Sequence, residues 1–161
     1  MELEVKIRGL MMDPVTNMPV VVLKEIQGQG ILPIWVGVYE ANAIALEIEK
    51  VQTPRPMTHD LLKNVLTGLD VRVQKVVVSD LREDTFYALI WMERDGQVIS
   101  MDSRPSDALA LALRLDCPIF VEDQVLKNSK LNGMVAEKGS QDELRKYLEN
   151  LNDEDLGRWK M

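Results

Sequence analysis

Two short stretches open alike: RPMTHDLL at residues 55–62 and RPSDALAL at residues 104–111. Each sets Arg-Pro ahead of a Thr or Ser, follows with an Asp, and then turns apolar. A helix start of this kind suits an anion, because its first backbone N–H groups lack partners and the helix dipole is positive there. An Arg just upstream adds a planar, two-pronged donor that matches a phosphate. Two such ends brought together would hold one phosphodiester between Arg55 and Arg104. The same residues also read as plain helix starts. Pro would stiffen the entry, Thr58 and Ser106 would cap, Asp60 and Asp107 would complement the dipole, and each Arg would pair with a carboxylate.

His59 is the sole histidine, in the first turn of the expected second helix. Its unperturbed pKa, about 6.5, suits proton transfer near neutrality. It could activate water as a general base or protonate a leaving oxygen as an acid. Equally, it could be a surface histidine bonded to Asp60 or to a neighbouring strand. Asp102, Asp107 and Asp60 could lend oxygens to Mg²⁺ or Mn²⁺, with Asp102 and Asp107 at one strand-to-helix junction. No DxD or HExxH spacing supports a metal, and metal-independent action stays open. Glu40 and Glu47 fit a solvated helix face better than a carboxylate pair. There is no Walker loop, dinucleotide fingerprint or G-x-S-x-G elbow.

The chain has 161 residues, with 26 acidic against 19 basic side chains and a formal net charge of −7. On average that opposes a nucleic-acid partner, whose binders usually carry a basic surface. A local cluster of Arg and Lys can still make one positive groove. The length fits one domain with an appendage. Cys117 is the only cysteine, which excludes an internal disulfide and a Cys-cluster metal site and suits a buried thiol in a reducing cytoplasm. No apolar run approaches the roughly 18 residues of a membrane span. The opening MELEVKIRGL alternates like a strand rather than a signal peptide.

These residues need positioning elements, and the pattern supplies them. ELEVKIRGL and PVVVLKEI read as strands, the second buried on both faces, and ILPIWV as a third. From about Tyr39 to Val51, Ala41, Ile44, Ala45, Ile48 and Val51 recur at helical spacing. The second helix starts near Thr58, with Leu61, Leu62, Val65, Leu66 and Leu69 as its expected buried stripe. His59, Asp60, Lys63 and Asn64 take the polar side. Residues 71–102 read as a three-stranded antiparallel meander with a hairpin at Asp95-Gly96. ALALALRL is apolar all round and predicts a deeply buried helix. CPIFVEDQVL, residues 117–126, reads as a short strand and turn. Ser140 and Glu143 make a capping box that opens a short amphipathic helix.

The pair RPMTHDLL and MDSRPSDALALALRLDCPIFV, with LPIWVGVYEANAIALEIEKVQT before them, resembles the bifunctional nuclease family, named for proteins that cut both DNA and RNA. The likeness covers roughly residues 1–126. It implies an α+β domain, with a mixed or antiparallel sheet packed with about three helices, that pairs into a wedge-like homodimer around a groove. Its motifs fall on Glu40, Arg55, Thr58, His59, Asp60, Asp102, Arg104, Ser106 and Asp107. The expected organisation is a nuclease-like domain over residues 1–128, then a linker and short helical tail over 129–161.

Together these readings point to a phosphodiester hydrolase of DNA and RNA, cytoplasmic and without a membrane partner. Arg55 and Arg104 would bind the phosphate, with Thr58, Ser106 and Lys63 as further substrate contacts. His59 would handle the proton, oriented by Asp60, while Asp102 and Asp107 would position a metal (Mg²⁺ or Mn²⁺) or the attacking water. The rival from another class is a non-catalytic dimeric module whose helix ends bind a phosphorylated ligand or an acidic partner segment.

Overall fold

A computed structural model describes residues 1–131. The chain begins with β1 (Glu2–Met12), β2 (Pro19–Glu25) and β3 (Ile31–Trp35), then α1 (Val38–Ile48) and α2 (Thr58–Gly68). A meander follows, of β4 (Arg72–Arg82), β5 (Thr85–Arg94) and β6 (Gln97–Ser103), and then α3 (Pro105–Leu115), β7 (Ile119–Glu122) and α4 (Asp123–Leu131). The seven strands form one mixed sheet in the order β3-β2-β1-β7-β4-β5-β6. Only the β4–β7 contact is parallel, because the chain returns from β6 through α3 before it lays β7 between β1 and β4. The fold is α+β, as the sequence implies. The expected tail helix at Ser140 lies outside the described residues.

Side-chain alternation decides the layers. In β5, Ala88, Ile90 and Met92 are buried and join the main core with α1 and α3, while Tyr87, Leu89 and Trp91 turn to the other face, each half-buried. There the Lys75 ammonium lies 5.7 Å from the Trp91 ring centre and 5.5 Å from that of Phe120, at cation–π range. β2 is buried on both faces, as its unbroken valines suggest. Val21 and Leu23 enter the main core, and Val20 and Val22 enter a smaller cluster with Met11 and Trp35. Asp95 and Gly96 both have positive φ, 51° and 78°, as a two-residue primed hairpin requires.

Two expectations are overturned. VEDQVL does not stay a turn: α4 begins at Asp123 and drives Val125 and Leu126 into the main core. The larger correction concerns α2, which contains no buried residue. It lays His59, Asp60, Lys63 and Leu66 inward, while Leu61, Leu62, Val65 and Leu69 are 38–56% exposed. The reason is electrostatic. α3 presents Asp107 and Arg114 to α2, and only α2's polar side can pair with them. α3 itself matches its sequence, with Leu109 and Leu111 fully buried, each side chain contributing about 1.5–3 kcal/mol of transfer free energy.

Candidate functional site

Three helix segments supply the site, and α3 is its base. Asp107 sits in the first turn of α3, three residues after Arg104, which precedes the helix as its N-cap residue. The fork of Arg104 closes on Asp107 through Nε to Oδ2 at 2.9 Å and Nη2 to Oδ1 at 3.3 Å. Its Nη1 donates to Glu40 Oε1 at 3.0 Å. Glu40 is in the first turn of α1, and a Cβ on Gly37 would collide with its carboxylate. Glycine at 37 therefore makes room for the Glu40 side chain.

His59 approaches from α2. Its Nε2 lies 2.9 Å from Asp107 Oδ1, and its side chain is only 14% exposed. Partial burial pushes the Asp107 carboxyl up, but the hydrogen bonds and charges of Arg104 and His59 outweigh it and hold the pKa below the ordinary carboxylate value. Asp107 is thus ionised near neutrality, and an ionised carboxylate can only accept. The Nε2 nitrogen must carry the proton. In the neutral ring, Nδ1 then holds the free lone pair.

Beside this lies a second pair. Asp60 accepts from the Met57 backbone N–H at 2.9 Å and from Arg114 Nε at 2.7 Å. The Met57 hydrogen bond is the largest influence on Asp60; burial opposes it, Arg114 adds to it, and the net pKa falls below the ordinary value. The Arg114 side chain is 3% exposed. It also donates to Ala110 O and to Ala43 O, both at 2.9 Å. A buried guanidinium without partners would be strongly unfavourable; this one is bonded to α1, α2 and α3 at once.

Of the residues expected at the site, the fold brings His59, Asp107, Arg104 and Glu40 into one network, with Asp60 adjoining. The expected orienting of His59 by Asp60 does not occur; Asp107 takes that place. Thr58 and Ser106 do not cap. The residues before the helices are Met57 and Arg104, without side-chain capping bonds. Asp60 bonds the Met57 N–H instead, and Ser106 is buried. Thr58 is exposed, and Lys63 is half-buried on the inner side of α2. Arg55 is exposed on the loop before α2, outside the network.

Asp102 stands apart. It pairs with Leu89 across β5–β6 and so shares the sheet face away from the helices, where Arg82 is a charged neighbour. Asp102 and Asp107 therefore do not form a chelating pair. No group of three or more His, Cys, Asp or Glu side chains converges in metal-binding fashion among the described residues. Arg114 is the residue that sequence reasoning misses. Its signal is a lone charge inside a helix read as buried all round, which calls for a carboxylate partner.

The arrangement can do specific chemistry. An imidazole held through Nε2–H by a carboxylate is oriented to take a proton at Nδ1, and the carboxylate steadies the imidazolium that results. Arg104, with a side chain 65% exposed, keeps N–H donors on both terminal nitrogens beyond those its two carboxylates use. These can meet anionic oxygens.

Residues 21–133 match the family described as Bifunctional nuclease domain. The chain belongs to the bifunctional nuclease family. An uncharacterized protein of Mycobacterium tuberculosis is 43% identical over 128 residues, covering 80% of this chain and 76% of its own length. Bifunctional nuclease 1 of Arabidopsis thaliana is 30% identical over 107 residues, 64% of this chain and 33% of that protein. Bifunctional nuclease 1 of Oryza sativa subsp. japonica is 27% identical over 115 residues, 69% and 35% respectively. The chain thus spans about a third of the length of these plant relatives. The matched span takes in the whole network, since Glu40, His59, Arg104 and Asp107 all fall within it.

Proposed function

We propose that this chain hydrolyses phosphodiester bonds of DNA and RNA at the His59–Asp107–Arg104 cluster. The observation that carries the reading is the three-way contact itself: one carboxylate orients an imidazole and an exposed guanidinium together. In the reaction, His59 Nδ1 takes a proton from water as its oxygen attacks phosphorus. Arg104 holds the non-bridging oxygens, where charge grows. The imidazolium, steadied by Asp107, then returns the proton to the leaving oxygen. Arg55 adds a second positive charge from the loop before α2, and exposed Thr58 can contact the backbone of the substrate. The names of the plant relatives support the same reading.

The chain acts as a homodimer in this reading. Support comes from the outward stripe Leu61, Leu62, Val65 and Leu69, and from Ile99 and Met101 on edge strand β6, which are 51% and 52% exposed. Apolar side chains collected on one helix face mark an association surface, and an open strand edge invites pairing.

A second reading, a non-catalytic module that binds a phosphorylated ligand, draws on the net charge of −7 and on the two carboxylates already bound to Arg104. Size-exclusion fractions assayed on labelled DNA and RNA, with Mg²⁺, Mn²⁺ or EDTA, distinguish the two. Cleavage that follows the protein peak supports hydrolysis and fixes the metal requirement. Cleavage that separates from the peak, with phosphate-dependent binding retained, supports the module.

A further inference from the structure

α2 is an unusual helix to carry a proton-transfer group, because so little of it is anchored by apolar packing. Of its apolar side chains only Leu66 packs against the main core, and none of its residues is fully buried. Two polar links hold its first turn: His59 to Asp107 and Asp60 to Arg114. The second is the firmer anchor. Arg114 comes from the last turn of the most buried helix, and its Nε, Nη1 and Nη2 are committed to Asp60, Ala110 O and Ala43 O. Its planar fork fixes directions as well as distances.

Asp60 transmits that fix. One oxygen accepts from Arg114 and the other from the Met57 N–H, so the turn that bears His59 is held at both its entry and its inner side. We propose that Arg114 is a positioning residue for His59: the three-helix junction it forms sets where α2 begins, and thereby sets the His59–Asp107 contact. Arg114 touches neither the reacting atoms nor His59 itself. The inference rests on His59 as the proton carrier for its consequence in catalysis, but the clamp is a structural relation that can be read without any substrate.

The single histidine makes the test direct. In protein labelled with ¹⁵N at histidine, the wild type should show the Nε2-protonated tautomer, with a slowly exchanging Nε2 proton. Arg114→Lys keeps a charge but loses the fork, and Asp60→Asn keeps Arg114 with its two carbonyl bonds. In each variant that remains folded by circular dichroism, the slow Nε2 proton should disappear and the tautomers should mix. Turnover should fall about tenfold to hundredfold with KM within about twofold, as expected for a displaced catalytic group. If Arg114→Lys fails to fold, Asp60→Asn decides. Wild-type tautomer and exchange in a folded variant would overturn the proposal, as would an Nδ1-protonated ring in the wild type. A wild type that cleaves nothing while the tautomer responds as described removes the hydrolase reading and leaves the clamp standing.

Discussion

His59 and Asp107 are 48 residues apart in the chain, yet His59 Nε2 lies 2.9 Å from Asp107 Oδ1, with Arg104 on the far side of the same carboxylate. Asp107 therefore does two things at once. It fixes the imidazole tautomer and it orients the guanidinium, so that a group able to carry a proton and a group able to meet an anion share one support.

Arg104 should be sensitive to shape as well as charge. Arg104→Lys retains a cation but cannot span Asp107 and Glu40 together. Charged hydrogen bonds contribute about 1.5–3 kcal/mol, so kcat/KM for a labelled oligonucleotide should fall roughly tenfold to a hundredfold. Steady-state kinetics on the folded variant check this; an unchanged kcat/KM would remove Arg104 from holding the phosphate oxygens.

Acid should weaken the fold through Asp60 and Asp107. Both carboxyls have folded pKa values below their ordinary ones, the unfolded value for Asp being about 3.9. A depressed pKa contributes stability above the unfolded value and loses it as pH falls through the folded one. Melting temperature should stay level from neutrality to about pH 5 and then drop below about pH 4. Asp60→Asn should melt lower at pH 7 and lose less on acidification. Parallel thermal melts at pH 7 and pH 3.5 decide it.

The outward stripe on α2 should govern assembly. Val65→Asp places a charge where 46% of the residue is exposed, so the monomer should fold normally, while a dimer built on this face should dissociate. Light scattering after size exclusion should show a dimer for the wild type and a monomer for the variant. A dimeric variant would point to another surface, with β6 the next to test.

Cys117 should be a slow thiol. Burial raises its pKa to about 11, against a smaller hydrogen-bond effect, and the thiolate is the reactive form. Labelling with a chromogenic disulfide should be slow in native protein at pH 7.5 and rapid after denaturation. Fast native labelling would show an open thiol.

The elements are readable because their periods are strong. The doubled apolar faces of β2 and β5, the Asp95-Gly96 turn and the all-round apolar α3 follow from residue type alone. α2 misleads for an instructive reason. Its leucines form the clearest apolar stripe among the described helices, and such a stripe says which face avoids water without saying whether the cover is intramolecular. Its orientation is decided instead by Asp107 and Arg114, long-range partners invisible to local pattern. Asp102 misleads because proximity in sequence to Asp107 hides a pleat: alternate strand residues face opposite ways. The two Arg-Pro openings also differ in fate. Arg104 enters the network, while Arg55 stays exposed on its loop.

The most direct measurement is cleavage of labelled single-stranded DNA and RNA by three purified, folded proteins: wild type, His59→Ala and Asp107→Asn. General acid–base catalysis contributes about 10²–10⁴-fold, so each substitution should lower turnover by that order, with the wild-type activity following the protein peak. Wild-type rates in both variants would contradict a catalytic His59–Asp107 pair.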